Sequence, residues 1–379
     1  MDAERYTLGA VGIGHWFERL YSGIKNSNRI TVTKAAGTNP AESKLDRLKA
    51  IGLGAENYYQ IRPGTPIPKE FFKDLNIVHI SDPNEFHAEQ TLQSLGEGKI
   101  VVTEKTWGVN KLGFYSVMDH IKENGLEKKA YLHLHYIHKT LTIQLEELLQ
   151  KYTAQYGKVK AVSATFFERI RPDDARRKEW LFSTANGGLF MDWIHPFEVL
   201  YFGAKATGMR LKDIEPYVVN KDYDKLNPTG IHAEVDVFGK FFSDSATAFV
   251  RMAKGTKESK KSMRFLFESG SYLDLNYIDS EIEFESSKRG TWEFFDGGIV
   301  IEKGAPSGPT TSEMLVSDMI NMCEGEQKGI SLDDAAAIFE PQWKYQELIA
   351  TKKLRASDKE AERFIKCGMT MATESCILI

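Results

Sequence analysis

A chain of 379 residues is long for one hydrophobic core and suits two domains. Its charges nearly cancel, 49 Lys and Arg against 53 Asp and Glu, so no basic footprint points to nucleic acid, and no apolar run is long enough to span a bilayer. The amino terminus has no signal-peptide core, and three scattered cysteines (Cys323, Cys367, Cys376) without C-x-x-C spacing fit a reduced, cytoplasmic protein.

Residues 6–11 read as a strand, and Gly12 and Gly14 as a tight turn into a helix that runs to about residue 24. Two glycines at that junction let the backbone approach a dinucleotide pyrophosphate, which sits on the unpaired N–H groups of the helix amino terminus. His15 and Trp16, in the first turn, count with the glycines as cofactor contacts. Phe17 stands where a Gly or Ala normally lets helix and strand pack closely. A second strand (30–36) follows. An acid at its end would hold the ribose 2′-hydroxyl of NAD, but the chain has Gly37, Thr38, Asn39 and Pro40, with Lys34, Lys44 and Arg47 nearby. No carboxylate repels a 2′-phosphate there, and Thr38 and Asn39 can donate to it. NADP is therefore expected, with NAD possible.

Residues 77–80 and 100–103 are apolar, β-branched runs around a helical stretch, 88–95, that ends at Gly96 and Gly98. This is a βαβ unit of a parallel sheet. Polar residues follow each strand: Ser81, Asp82, Pro83 and Asn84 after the first, Glu104, Lys105 and Thr106 after the second. Ligands bind at that edge in open α/β sheets, and Lys105 there could contact a nicotinamide and its substrate together. The bland alternative is a solvated Glu–Lys pair.

The order of strand, Gly-x-Gly, strand, Asp82-Pro83-Asn84-x-x-His87 and Glu104-Lys105-Thr106 resembles the glucose-fructose oxidoreductase/inositol dehydrogenase/MocA family. Its members usually show T-P-N-x-x-H and E-K-P at these places. The resemblance covers the layout of the whole chain and is motif-specific up to about Trp107. It implies an α/β fold with a Rossmann nucleotide-binding domain (1–128). An α+β domain (129–379) on a large open, mostly antiparallel sheet would follow. It also implies that Asp82, Pro83, Asn84, His87, Glu104 and Lys105 meet the cofactor. Asp at 82, Thr at 106 and Phe at 17 depart from the pattern.

Residues 111–124 read as a helix and 125–129 as the crossing between domains. The spacing then predicts a strand over 131–138, with His133 and His135 on one face and Tyr136 and His138 on the other. H-x-H on a strand can hold a metal. With no Cys near, no metal is expected; the strand either lines the pocket, with Tyr136 a candidate for the substrate, or packs in the sheet. A helix (141–152) and a strand (158–167) lead to the run 168–178, where four arginines fall within 169–177. Arg169 and Arg171 are candidates to bind an anionic substrate, against a loop whose charges pair with Asp173 and Asp174.

Residues 187–195 resemble the family's G-G-x-x-x-D-x-x-x-H, whose Asp and His meet the substrate beside the lysine. Here Asp192 and His195 are three residues apart rather than four, which still shares a helix face. Strands at 246–252, 262–267, 272–277, 281–285 and 292–295 predict an antiparallel meander. Burial of one broad sheet face in a homodimer or homotetramer is expected. Helices follow over 314–324 and 332–350, Ser331 capping the second and Pro341 kinking it. The last four residues fit C-a-a-X but lack a basic run, and read as an apolar tail packed on the domain.

The expected activity is an NADP-dependent dehydrogenase or reductase acting on a CH–OH group of a sugar, sugar derivative or cyclic polyol. Lys105 would polarise and protonate the oxygen, His195 would be the partner acid or base, and Asp192 would hold one of them. The alternative from another class is a non-catalytic NADP-binding sugar sensor of the same fold. A glycosidase using transient NAD oxidation is disfavoured by the missing acid near Thr38.

Overall fold

The computed structural model describes residues 4–62, 64–168, 190–218, 236–243, 246–254, 259–277 and 290–350. Contacts divide the chain into two units. One comprises 1–135, 185–187 and 309–335, the other 136–184, 188–308 and 336–379.

The first unit holds β1 (Tyr6–Val11), α1 (His15–Ser27), β2 (Ile30–Gly37), α2 (Leu45–Ala50), β3 (Tyr58–Gln60), α3 (Lys69–Phe72) and β4 (Ile77–Ile80). It continues with α4 (His87–Gly96), β5 (Ile100–Glu104), α5 (Lys111–Glu123) and β6 (Ala130–His133). The sheet order is β3-β2-β1-β4-β5-β6, and every pair is parallel. Strand order reverses between β1 and β4, which makes their carboxyl ends the topological switch point. All four residues of β4 are buried, as a strand covered on both faces requires.

On α1 the apolar positions Phe17, Leu20 and Ile24 recur at helical spacing and are all buried. Phe17 is fully buried with its ring centroid 5.7 Å from that of His79 on β4. The bulky side chain fills the helix–sheet space that a small residue would have closed. A helix from far along the chain, α9 (Thr311–Cys323), adds Leu315, Val316, Met319 and Met322 to this core. The first unit thus extends through residue 135 and takes back 309–335, where the sequence reading closes it at 128. The amphipathic face of α9 is the cause, because it finds its apolar partner on α1. A capping box of Thr310 and Glu313 starts α9 three residues before the expected 314.

The second unit contains α6 (Thr140–Ile143), α7 (Leu145–Tyr156), β7 (Val159–Glu168), α8 (Phe190–Ala206), β8 (Leu211–Val218), β9 (Asp236–Ser243) and β10 (Thr247–Lys254). After these come β11 (Lys260–Phe267), β12 (Tyr272–Asn276), β13 (Thr291–Asp296) and β14 (Ile299–Gly304). Its sheet order is β14-β13-β12-β11-β7-β10-β9-β8. Of the predicted meander, 262–267, 272–277 and 292–295 are present as the consecutive antiparallel strands β11, β12 and β13, which β14 extends. The predicted strand at 246–252 is β10, which instead lies between β7 and β9 and pairs with β7 in parallel within the otherwise antiparallel sheet. Tyr152 of α7 stacks on Phe294 of β13 at 3.8 Å, and α8 covers the sheet with Phe197, Val199, Leu200 and Ala204.

Two expectations change. The strand predicted over 131–138 ends at His133, and residues 135–138 form a turn. Inside that turn the Tyr136 N–H goes to the Glu198 carboxylate (2.6 Å) and its carbonyl accepts from Thr142 Oγ1 (2.7 Å), so neither serves a β ladder. The helix predicted over 141–152 is two helices, α6 and α7, joined at Gln144. Ser331 caps α10 (Leu332–Ala350) through the Asp334 N–H at 3.0 Å, and Pro341 lies inside that helix. Residues 281–285 and the tail 376–379 lie outside the described residues. Among the described residues no helix is long and apolar enough to cross a membrane.

Candidate functional site

The carboxyl ends of β1 and β4 interlock. Gly12 has φ +86°, and a Cβ on it would lie 2.5 Å from the Asp82 nitrogen, so only glycine fits. Ser81 Oγ donates to the Gly12 carbonyl at 2.7 Å. Gly14 is the N-cap of α1 and supplies no side-chain cap to the helix N–H groups. A Cβ on Gly14 would meet nothing within 4 Å. The protein's own packing does not demand glycine there, whereas a phosphate seated on those N–H groups would. The turn therefore fits a dinucleotide.

Two of the cations near Thr38 in sequence are engaged elsewhere. The Lys34 amine donates to the carbonyls of Glu70 (2.8 Å) and Lys73 (2.7 Å). Arg47 pairs with Glu18 at 3.1 Å and donates to the Ile13 carbonyl at 3.2 Å, bracing the glycine turn. Trp16 is exposed on the first turn of α1, with the Arg19 guanidinium 4.5 Å from its ring centroid and His135 edge-on at 5.7 Å. The His15 side chain lies outside the described residues.

Past β4, Asp82 Oδ2 accepts from Gln90 Nε2 at 2.6 Å. His87 is buried with Nε2 2.8 Å from the Asp82 carbonyl and Nδ1 3.0 Å from that of Thr106. It ties the two strand-end loops together, so its ring nitrogens face protein carbonyls instead of a cofactor. Pro83 is half-buried. Asn84 is buried, and its Nδ2 meets no acceptor among the described residues, which leaves a donor aimed at something else.

Burial pushes the Asp82 carboxyl up to about 7. An unfolded Asp ionises near 3.8, so between those values the native state holds the extra proton and stability falls as pH rises. Asp82→Asn is therefore expected to stabilise the protein at pH 8 by on the order of a few kcal/mol. The gain should shrink toward pH 4. Urea midpoints across that range measure it, and an equal effect at both ends would contradict a buried, proton-holding carboxyl.

Glu104, at the end of β5, lies between two histidines. Its Oε1 is 2.7 Å from His133 Nδ1 on β6 and 3.7 Å from His79 Nε2 on β4, the latter too long for a hydrogen bond. Parallel register explains the approach, since Glu104 pairs with His133 directly. Burial works against the Glu104 charge, but His133 by attraction and hydrogen bond, with help from His79, holds it well below the usual carboxylate range. Burial keeps His79 below the usual histidine range, against the pull of Glu104. The carboxylate expected on the cofactor is engaged with its neighbouring strands. Among the described residues no group of three or more His, Cys, Asp or Glu has metal-holding geometry.

Lys105 follows directly and is 7% exposed, so the solvated Glu–Lys pair is not what the fold builds. The Lys105–Thr106 peptide bond is cis.

In the second unit His195 is buried on α8 with Nδ1 3.4 Å from Glu198 Oε1, one turn along the same helix. Glu198 is fully buried and also accepts the Tyr136 N–H. The rings of Tyr136 and His195 are 4.8 Å apart, and Tyr277 stands edge-on to Tyr136 at 5.4 Å. Burial raises the Tyr277 hydroxyl far above its ordinary range. Tyr136 and His195 are thus brought together. Among the described residues the carboxylate at His195 is Glu198, which sequence reasoning missed; the i,i+3 spacing on an apolar helix was the available signal. The side chain of Asp192, and Arg169 and Arg171 altogether, lie outside the described residues.

No family model matches the chain, and no curated protein matches it. Its fold is shared with solved structures at low sequence identity. An aldose-aldose oxidoreductase from Caulobacter crescentus, complexed with glycerol, has TM-score 0.68 and 15% identity over 92% of this chain and 97% of that one. A scyllo-inositol dehydrogenase from Lactobacillus casei has TM-score 0.67 and 16% identity over 92% and 96%. A biliverdin reductase from Synechocystis, in complex with biliverdin and NADP+, has TM-score 0.68 and 11% identity over 90% and 98%. At such identities the likeness establishes the architecture, a Rossmann-type unit with a carboxyl-terminal sheet unit.

Proposed function

We propose that this protein is an NADP-dependent oxidoreductase acting on a CH–OH group of a sugar, sugar derivative or cyclic polyol. The observation that carries the reading is a buried Lys105 at the same sheet edge as an uncapped helix amino terminus entered through Gly12 and Gly14. Two of the proteins sharing the fold are named for acting on an aldose and an inositol, and this supports the substrate class.

Gly12, Gly14 and the first N–H groups of α1 would hold the pyrophosphate, Asn84 would donate to the cofactor, and Thr38 and Asn39 would face its adenosine end. Bound there, the nicotinamide supplies hydride exchange with the substrate carbon. Lys105 moves the proton of the reacting oxygen, its amine shielded from bulk water, which strengthens its hold on a developing alkoxide. His195 is the second proton-handling group. Glu198 at Nδ1 would orient the imidazole and favour the tautomer protonated there, the service a carboxylate gives a working histidine. A homodimer or homotetramer belongs to the same reading. Ile299, Val300 and Ile301 stand exposed in a row on edge strand β14, where a second copy would cover them.

Nicotinamide absorbance, followed with NADP against free aldoses, polyols, sugar acids and sugar phosphates, tests the proposal. Turnover with one class is the expected result. Tight NADP binding with no turnover across the panel would favour the sensor.

A further inference from the structure

Parallel pairing sets the carboxyl ends of β2 and β3 level. Gly37 pairs with Gln60, and the Ile61 N–H donates to the Gly37 carbonyl at 2.9 Å. One residue beyond each contact stand Thr38 and Arg62. They line one cleft together with Phe86, Glu89, Gln90 and Gln93 from the segment after β4.

We propose that Arg62 and Thr38 together bind the 2′-phosphate of NADP, with Arg62 supplying the charge. This rests on the nicotinamide nucleotide binding proposed above.

The walls of the cleft are built to hold still. Tyr58 Oη donates to the Asn39 carbonyl at 2.8 Å, pinning the loop that carries Thr38. Gly37 is required for that contact, since a Cβ there would lie 2.8 Å from Tyr58 Oη. The Arg62 carbonyl accepts from Thr65 Oγ1 at 2.7 Å and from the Thr65 N–H at 3.0 Å. Further along the same loop, Gln93 grips the backbone of Ile67 with both ends of its amide, at 2.8 and 2.7 Å. The backbone around Arg62 is therefore anchored on each side. Its side chain is exposed, and the guanidinium makes no ion pair or hydrogen bond among the described residues.

Of the cations close to Thr38 in sequence, Lys34 is spent on α3 carbonyls and Arg47 on Glu18 and Ile13. Burial and the neighbouring Arg47 both work against the charge of Lys44. Arg62 is the fork-shaped donor that remains, and a guanidinium matches a phosphate bidentately. Among the described residues Glu89 is the one acid on the cleft, and it defines the rival outcome, a ribose 2′-hydroxyl held as in NAD.

The test is a binding titration of the full chain with NADPH and with NADH, read by nicotinamide fluorescence, with 2′,5′-ADP and 5′-AMP as competitors. Wild type, Arg62→Ala and Glu89→Gln are compared. Wild type should prefer NADPH. Arg62→Ala should lose roughly tenfold to a hundredfold in NADPH affinity, with NADH altered less than about twofold. The advantage of 2′,5′-ADP over 5′-AMP should collapse with it, while the melting temperature stays put. Equal loss for both nucleotides would make Arg62 a stacking surface for adenine and overturn the proposal. So would no loss, or a wild-type preference for NADH that Glu89→Gln abolishes. Binding of neither nucleotide would remove the dinucleotide reading itself, a result distinct from tight NADH binding.

Discussion

Lys105→Met is expected to lower turnover by roughly 10²–10⁴-fold, the range that positioned proton transfer supplies. NADP affinity should stay within about threefold. Methionine keeps the length and the apolar stem of a side chain that is 7% exposed, so packing is largely conserved while the amine is lost. The loss should fall on kcat and on kcat/KM alike, because the interaction is made with the reacting oxygen rather than with the whole substrate. Unchanged turnover would sink the role given to Lys105 and leave His195 as the principal acid or base. Lost NADP binding instead would show that the amine holds the cofactor.

His133→Leu should strongly destabilise the first unit. Glu104 is nearly buried, with a side-chain exposure of 12%, and His133 at 2.7 Å is the nearer of its two histidines. Removing the nearer partner leaves the buried carboxylate with only the more distant His79, a loss of up to about 3–5 kcal/mol. The pH dependence has a definite sign. The folded Glu104 ionises below its unfolded value of about 4.3. The pairing therefore contributes fully above that value and is lost as pH falls through the folded one. The penalty of His133→Leu should be largest above about pH 4.3 and shrink as the pH falls well below it, as read from urea midpoints at pH 7 and at about pH 3. Glu104→Gln combined with His133→Leu should recover part of the loss, because a neutral amide replaces the stranded carboxylate. A double variant no better than the single would mean that His133 acts through packing alone.

Sequence periodicity was enough to place β1, α1, β2 and the βαβ unit around α4, because each is a local pattern: a buried run, an apolar stripe, a glycine where only glycine fits. Gly12, Gly14, Asn84 and Lys105 were legible for the same reason, since each sits at a fixed offset from a strand end. What the pattern could not give was the partner of each polar group. Glu104, expected on the cofactor, meets His133 because β6 lies next to β5 in the sheet, 29 residues further along the chain. His195 has Glu198 at its Nδ1, a neighbour one helix turn away that the sequence motif did not single out, while the Asp192 side chain lies outside the described residues. The strand predicted through His138 stops at His133 where Tyr136 gives its N–H to a residue 62 positions away. Arg62 reaches Thr38 only through the parallel register of β2 and β3, while Lys34 and Arg47, closer in sequence, turn to other acceptors. Secondary structure and strand-end motifs depend on neighbours within a few residues, and one dimension records those. Buried charge pairing and the choice of cation depend on which strands lie side by side, and only the folded sheet decides that.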